Sequence, residues 1–486
     1  MLRRTKIVAT LGPATDDPKA LDDLIQAGVD VCRINFSHGT KDEHLQRAET
    51  VRNRARAHGR QVGIIADLQG PKIRIECFKN GSVSLKEGDL FVLDALLDKD
   101  AGDGSRVGMT YKGLPDDVSR GDTLLLDDGA IVLWVDEVEG PEINCRIVVG
   151  GELSDHKGIN KQGGGLSAGA LTQKDHEDIQ IAAEMGADYL ALSFPRNAAD
   201  VENARDLLRK AGGHGNLIAK IERAEALEKI EEIIDASDAI MIARGDLGVE
   251  IGDPELPGVQ KEIISKARSM NRVVITATQM MQSMITSHSP TRAEVMDVAN
   301  AVLDGTDAVM LSAETSIGKH PAKVISAMSK ICQGAELHRE ATISTHRMEC
   351  TFDRVDEAIA MATMYTANHL GVAAIVCLTE SGSTPLWMSR ITSGIPIYAM
   401  TSRVNTRRKV TLYRGVYPVS FESDYNDHAL VNKEAVDDLV RRGAVRDGDL
   451  VIITKGDLAG KSGGTNAMKI VKVGDMYIPT YCKIDT

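Results

Sequence analysis

Eight short apolar runs, rich in β-branched residues and each leading into a polar, amphipathic stretch, constrain this chain most. They are 6–13 (KIVATLGP), 30–36 (DVCRINF), 61–68 (QVGIIADL), 187–194 (ADYLALSF), 216–222 (NLIAKIE), 238–245 (DAIMIARG), 272–279 (RVVITATQ) and 307–314 (DAVMLSAE). Strands apolar on both faces belong to parallel sheets covered by helices, whereas half-exposed strands alternate. Eight strand–helix units predict an α/β chain folded as a (β/α)8 TIM barrel, with a doubly wound open sheet as the alternative. Thr291 and Glu294 have capping-box spacing ahead of an apolar helix.

Two segments break this rhythm. Between the third and fourth runs, residues 70–168 alternate apolar and polar positions with Gly-Asp turns, as in GSVSLKEGDLFVLD. That texture predicts a small antiparallel β-barrel, inserted at a strand's C-terminal end where it can act as a lid. Residues 345–486 read as a separate α/β domain, with strands at AAIVCLTE, IPIYAMT and DLVIITKGD and helices at DEAIAMATMYTANHL, LWMSRITS and DHALVNKEAVDDLVRRG. The barrel then takes residues 1–69 and 169–344. The 486 residues fit about three domains at roughly 150 residues each.

Composition excludes several classes. The 57 basic and 70 acidic residues give a net charge of −13, which argues against a nucleic-acid partner. Two Trp, nine Tyr and six Phe are too few for base-stacking platforms. The seven Cys have no C-x-x-C spacing, as expected of a reduced, cytoplasmic protein. No secretory signal and no apolar stretch of membrane-spanning length is recognisable, so no membrane partner is expected.

Polar residues gather where the apolar runs end. The second run ends in Arg33, Asn35 and Ser37, the third in Asp67, and the fourth in Ser193-Phe194. The fifth carries Lys220 and Glu222, the sixth Arg244 and Asp246, the seventh Thr278, the eighth Ser312 and Glu314. In a barrel those ends surround the active-site mouth. Residues two apart on a strand point the same way, so each pair aims at one pocket. For one pair, mutual ion pairing is a sufficient explanation; recurrence on adjacent strands favours function. Glu222 and Asp246 suit Mg²⁺ or Mn²⁺, which prefer oxygen ligands. Lys220, Arg33, His38, Arg74 and Lys157 add positive charge, and in an acidic protein that concentration implies a small polyanionic substrate. These parts suit phosphoryl transfer, which needs positioning and charge neutralisation.

Longer runs carry a family resemblance. RINFSHG (33–39), DLQGPKIR (67–74), AKIE (219–222), ARGDLG (243–248), ATQMMQSM (277–284), PTRAEVMDVANAV (290–302) and GTDAVMLSAET (305–315) resemble pyruvate kinase over essentially the whole chain. The resemblance implies a catalytic barrel, a mobile β lid and a C-terminal regulatory domain. The implied reaction takes phosphoenolpyruvate and ADP to pyruvate and ATP, the last step of glycolysis. It also implies Mg²⁺ or Mn²⁺ as cofactor, a homotetramer, and a phosphorylated sugar or nucleotide as effector. Carried over by position, Lys220 stabilises the transferring phosphoryl group and Arg33 binds it. Glu222 and Asp246 hold the divalent metal. Gly245, Asp246 and Thr278 receive the substrate carboxylate. Thr278 relays a proton with support from Ser312 and Glu314. Thr10, Pro13, Asn35, His38, Arg74 and Lys157 face the nucleotide.

One position departs from the potassium-requiring members, which carry Glu where this chain has Lys72. Its ammonium is expected to fill the monovalent-cation site formed by Asn35, Ser37, Asp67 and Leu68, so that K⁺ is not required. In the C-terminal domain, Thr379, Ser381, Gly382, Ser383 and Thr384 lie between a strand and a helix and resemble the family's effector-phosphate loop. The Gly-rich run 461–466 resembles the loop that closes over it. GDLAGKS (456–462) imitates a Walker A loop, but its glycines are one residue too close. A metal-dependent pyruvate lyase, a Schiff-base aldolase using Lys220, and a catalytically dead metabolite sensor are the alternative readings.

Overall fold

The computed structural model describes residues 2–338, 341–342, 351–422, 428–457 and 463–475. All eight apolar runs are strands: Lys6–Thr10, Val31–Asn35, Gly63–Asp67, Tyr189–Leu192, Asn216–Ile221, Ala239–Ala243, Val273–Ala277 and Ala308–Leu311. They close into one barrel in which each strand lies beside its neighbour in sequence and the first beside the eighth. The strands pair in parallel, for example Leu192 opposite Ala219 and Ala243 opposite Ala277. Closure rules out the open sheet. It also explains the sequence pattern, because one face of every strand fills the barrel and the other meets helices.

Helix ends follow local chemistry. The helix Arg292–Asp304 opens with the expected capping box of Thr291 and Glu294, and closes on Gly305 at φ 96°. The helix Gln173–Glu184 carries a second capping box, Thr172 with Asp175. Asp175 also accepts the Gly70 N–H at 3.0 Å, so one carboxylate caps a helix and fixes the chain entering the insert.

By its internal contacts the chain divides into two compact units. One is Met1–Ile34 with Gln46–Ile65 and Met280–Thr486; the other is Asn35–Leu45 with Ala66–Gln279. The eight barrel strands are shared between them.

The second unit contains the insert. Its strands form a six-stranded sheet, running Ile159–Lys161, Thr123–Leu126, Ile131–Glu139, Glu142–Val149, Leu90–Asp94, Arg106–Gly108, and a two-stranded ribbon of Ser82–Leu85 with Gly151–Ser154. Residues 73–75 bridge the two edges of the larger sheet. Ile73 O accepts from Ile159 N at 2.9 Å on one side, and Arg74 O accepts from Thr110 N at 2.9 Å on the other. This strap closes a small cylinder around one apolar core that includes Phe91, Leu93, Leu133 and Ile143. Lys72 and Arg74 therefore sit on the segment that seals the insert.

In the first unit, the C-terminal residues form a five-stranded sheet in the order Val416–Ser420, Ile397–Thr401, Ala374–Leu378, Leu450–Gly456, Thr465–Lys472. The two outer strands correct the sequence reading, which gave three. Val416–Ser420 contains Pro418, a residue that removes a ladder donor and is tolerated at a sheet edge. Thr465–Lys472 is antiparallel to its neighbour and largely solvated, so it lacks the apolar run that marks a buried strand. The helix expected from 386 starts earlier, at Ser383–Ser389. Part of the Gly-rich run, residues 461–462, lies outside the described residues.

A buried ion pair ties this sheet's helix to the eighth barrel strand. Arg390, fully buried, donates to Asp307 Oδ2 at 2.9 Å and bonds Oδ1 with its other nitrogen. The Arg414 N–H donates to the same Oδ1 at 3.2 Å. Removing one partner leaves a buried charge uncompensated. Asp307→Ala is expected to cost about 3–5 kcal/mol, read as a lower denaturant midpoint for this unit.

Candidate active site

Within the second unit, Lys220 projects from the fifth strand between Ala219 and Ile221, both fully buried. Its ammonium donates to Ser193 Oγ at 2.6 Å and lies 2.9 Å from Glu222 Oε1 and 3.3 Å from Asp67 Oδ1. The three partners come from the ends of the third, fourth and fifth strands, which are adjacent in the barrel. Ser193 passes the contact on, donating to Leu68 O at 2.8 Å. Glu222 also accepts the Phe194 N–H at 2.9 Å. Burial pushes the Glu222 carboxyl upward; the Lys220 charge opposes this, and Asp246 and Asp67 add to it.

Asp246 stands in the first turn of the helix Arg244–Ile251, directly after the sixth strand. The Gly245 N–H donates to Thr278 Oγ1 at 2.9 Å, and that hydroxyl donates to Ala277 O at 2.7 Å. Thr278 and Gln279 have φ of 66° and 54°. A β-branched residue rarely adopts such a backbone, and strain of this kind clusters at functional sites. Buried Arg244 braces the turn, donating to Ala277 O at 3.2 Å and Thr278 O at 2.7 Å.

Lys72 corrects one expectation. Its ammonium was expected among Asn35, Ser37, Asp67 and Leu68. Instead its polar contact is with Asp246 Oδ1 at 3.0 Å. The Leu68 carbonyl is occupied by Ser193, and Asn35 Oδ1 accepts the Ser37 N–H at 3.2 Å. The strap of the insert decides which carboxylate Lys72 reaches, a long-range consequence that the run GPKIR does not display.

The remaining nucleotide candidates of this unit are less concentrated. Arg74 donates to His156 O at 2.8 Å, Lys157 pairs with Asp127 at 2.8 Å, and His38 is exposed. In the first unit, Arg33 donates to Thr10 Oγ1 at 3.0 Å, and Thr10 donates to Leu311 O at 2.8 Å. Pro13 opens the short turn Pro13–Thr15. Glu314, buried, accepts the Ser312 and Met281 N–H groups at 2.7 and 3.3 Å. In the C-terminal loop the Gly382 N–H donates to Thr379 Oγ1 at 3.0 Å, Ser381 and Ser383 hydroxyls lie 2.9 Å apart, and Thr384 meets Thr465 at 2.7 Å.

Residues 2–325 match the family described as pyruvate kinase, barrel domain, and residues 357–471 the one described as pyruvate kinase, alpha/beta domain. The chain belongs to the pyruvate kinase family. It is similar to the Pyruvate kinase II of Salmonella typhimurium, 56% identical over 476 residues, 97% of this chain and 99% of that one. A Pyruvate kinase of Haemophilus influenzae is 54% identical over 459 residues, 94% and 96% of the two chains. One from Geobacillus stearothermophilus is 41% identical over 482 residues, 98% and 81%.

In this pyruvate kinase fold, the donor set fits a hard divalent cation. Asp67, Glu222 and Asp246 face two ammonium groups, those of Lys220 and Lys72, which leaves one negative charge in excess. No three acidic, His or Cys side chains among the described residues converge tightly enough to hold a metal alone. An ion on Glu222 and Asp246 would complete its shell from water and substrate oxygens, as Mg²⁺ commonly does. No helix among the described residues is long and apolar enough to cross a membrane.

Sequence reasoning missed Glu250, at the far end of the helix that begins with Arg244. It is buried, accepts the Ala224 N–H at 2.8 Å and bonds Asn160 of the insert, with Glu225 and Arg223 nearby. Burial raises its carboxyl from 4.5 to about 7. A carboxyl with a higher pKa folded than unfolded holds its proton more tightly in the folded state. Its contribution is complete below pH 4.5 and lost as pH climbs to about 7, roughly 3 kcal/mol in all. Glu250→Gln is expected to melt close to the parent at pH 5 and above it at pH 8, as thermal denaturation at the two pH values would read.

Proposed function

We propose that the Lys220 cluster is the chemical centre of the reaction that the family name describes: phosphoenolpyruvate + ADP + H⁺ → pyruvate + ATP. The observation that carries this reading is a partly buried ammonium among Asp67, Ser193 and Glu222 at adjacent strand ends. An ammonium set among carboxylate and hydroxyl oxygens suits phosphoryl oxygens better than Schiff-base chemistry, and the family match sets the aldolase reading aside.

Each residue then has a task. Lys220 offsets charge on the phosphoryl group as it leaves the enol oxygen for the terminal oxygen of ADP, and Arg33 binds the same group. Glu222 and Asp246 hold the divalent metal, Mg²⁺ or Mn²⁺; when bound it neutralises charge on substrate oxygens. The Gly245 N–H and Thr278 hydroxyl, bonded to each other in this structure, turn to the substrate carboxylate. Thr278, supported by Ser312 and Glu314, passes the proton that converts the enolate to pyruvate. Thr10, Pro13, Asn35, His38, Arg74 and Lys157 serve the nucleotide. The C-terminal loop 379–384 takes the phosphate of a sugar or nucleotide effector, and the working assembly is a homotetramer. The five described cysteines are free thiols, which supports a cytoplasmic setting.

Lys220→Met is expected to lower kcat by roughly a thousandfold or more with KM for phosphoenolpyruvate within a few fold. The assay couples pyruvate formation to lactate dehydrogenase, and near-parental turnover would remove Lys220 from the chemistry.

Lys72 supplies a fixed positive charge beside Asp246, and this supports turnover without K⁺. Activity in tetramethylammonium buffer is expected to equal that in potassium buffer. Lys72→Glu is expected to create a potassium requirement; strong K⁺ activation of the parent would defeat the idea.

A further inference from the structure

Lys220 and Glu222 are held by two consecutive residues from the neighbouring strand, Ser193 and Phe194. The Ser193 hydroxyl accepts from the Lys220 ammonium at 2.6 Å, closer than Glu222 at 2.9 Å or Asp67 at 3.3 Å, and donates to Leu68 O at 2.8 Å. One residue on, the Phe194 N–H donates to Glu222 Oε2 at 2.9 Å. Phe194 has a φ of 57°, in a region that bulky side chains avoid. Its ring lies beside the Arg223 guanidinium, 5.4 Å from the ring centre. The chain leaving the third strand is shaped around Ser193. A Cβ on Gly70, which has a φ of 67°, would stand 2.7 Å from the Ser193 Cβ.

We infer that Ser193 is a positioning residue for phosphoryl transfer. It aims the Lys220 ammonium by anchoring it to the Leu68 carbonyl, while the Phe194 backbone fixes the adjacent Glu222. The inference rests on the proposed role of Lys220. Ser193 is itself 1% exposed, so it acts through Lys220 rather than on the substrate. An ammonium on a four-carbon stem has many rotamers. Two carboxylates attract it over a broad range of directions, whereas a hydroxyl whose own proton is committed to Leu68 has its rotation, and so its lone pairs, fixed in direction. Losing that bond leaves the charge in place and its aim loosened, which costs turnover more than binding.

The test is a double-mutant cycle on the full-length enzyme, with steady-state rates from the coupled assay and long incubations for the slow variants. Ser193→Ala is expected to lower kcat about tenfold to a hundredfold, with KM for phosphoenolpyruvate within about threefold and the melting temperature within a few degrees. In the Lys220→Met background the same change is expected to cost less than about twofold, because the group it positions is gone. Parental kcat in Ser193→Ala overturns the inference. So does an equal loss in both backgrounds, which would make Ser193 a structural residue only. High turnover in Lys220→Met alone would sink the role of Lys220 instead, so the two failures are distinguishable.

Discussion

A lysine ammonium largely withdrawn from water at the end of a barrel strand sets the terms for everything around it. Removing such a charge from water costs several kcal/mol unless oxygen partners replace the solvent. Lys220 meets this demand with Asp67, Ser193 and Glu222, delivered by three adjacent strands. The demand therefore fixes strand register as firmly as it fixes side chains. A slip of one residue would point Lys220 outward toward the helices and turn Ala219 or Ile221 into the barrel. Fold and site are in this sense one problem, solved by the same ladders.

The strained backbone has the same origin. Phe194, Thr278 and Gln279 all have positive φ, and all lie just past the end of a barrel strand. Each such residue costs on the order of 1–3 kcal/mol and persists only where its surroundings dictate it. At Phe194 the strain turns an N–H onto Glu222; at Thr278 it brings a hydroxyl onto the Gly245 N–H. The rigid cylinder of strands absorbs these costs, and the buried carbonyl contacts of Arg244 hold the second turn in place. Regular structure thus positions irregular structure: Lys220 and Asp67 stand on strands, and Phe194 and Thr278 just past them.

The barrel was legible in the sequence because its physical signal is local. A strand buried on both faces must be apolar throughout, and all eight such runs proved to be strands. The capping box at Thr291 and Glu294 was legible for the same reason, since its partners lie three residues apart. What escaped reading depends on distant partners. The edge strand has its apolar run broken by Pro418 and the solvated strand Thr465–Lys472 has none, so their pairing with inner strands is what reveals them. Lys72 was expected beside Asp67, but the bridge of residues 73–75 across the insert brings it to Asp246. Ser193 was visible as a polar residue at a strand end, yet its bond to Lys220 depends on the register between the fourth and fifth strands. Charged pairs within one strand can be read from spacing; partners across strands need the barrel.

Charge balance links these observations to the substrate. The protein is acidic, with a net charge of −13, and the Lys220 cluster by itself has more carboxylates than ammonium groups. A phosphorylated, carboxylated substrate would be repelled by such a surface at close range. On the proposed reading, a divalent cation on Glu222 and Asp246 would reverse the sign of the local charge from one negative to one positive. In a partly buried setting, where screening is weaker than in bulk water, that reversal would favour entry of a polyanion. On the proposed reading the cluster carries a charge deficit that a bound cation would correct, and Lys220 and Lys72 set how large that deficit is.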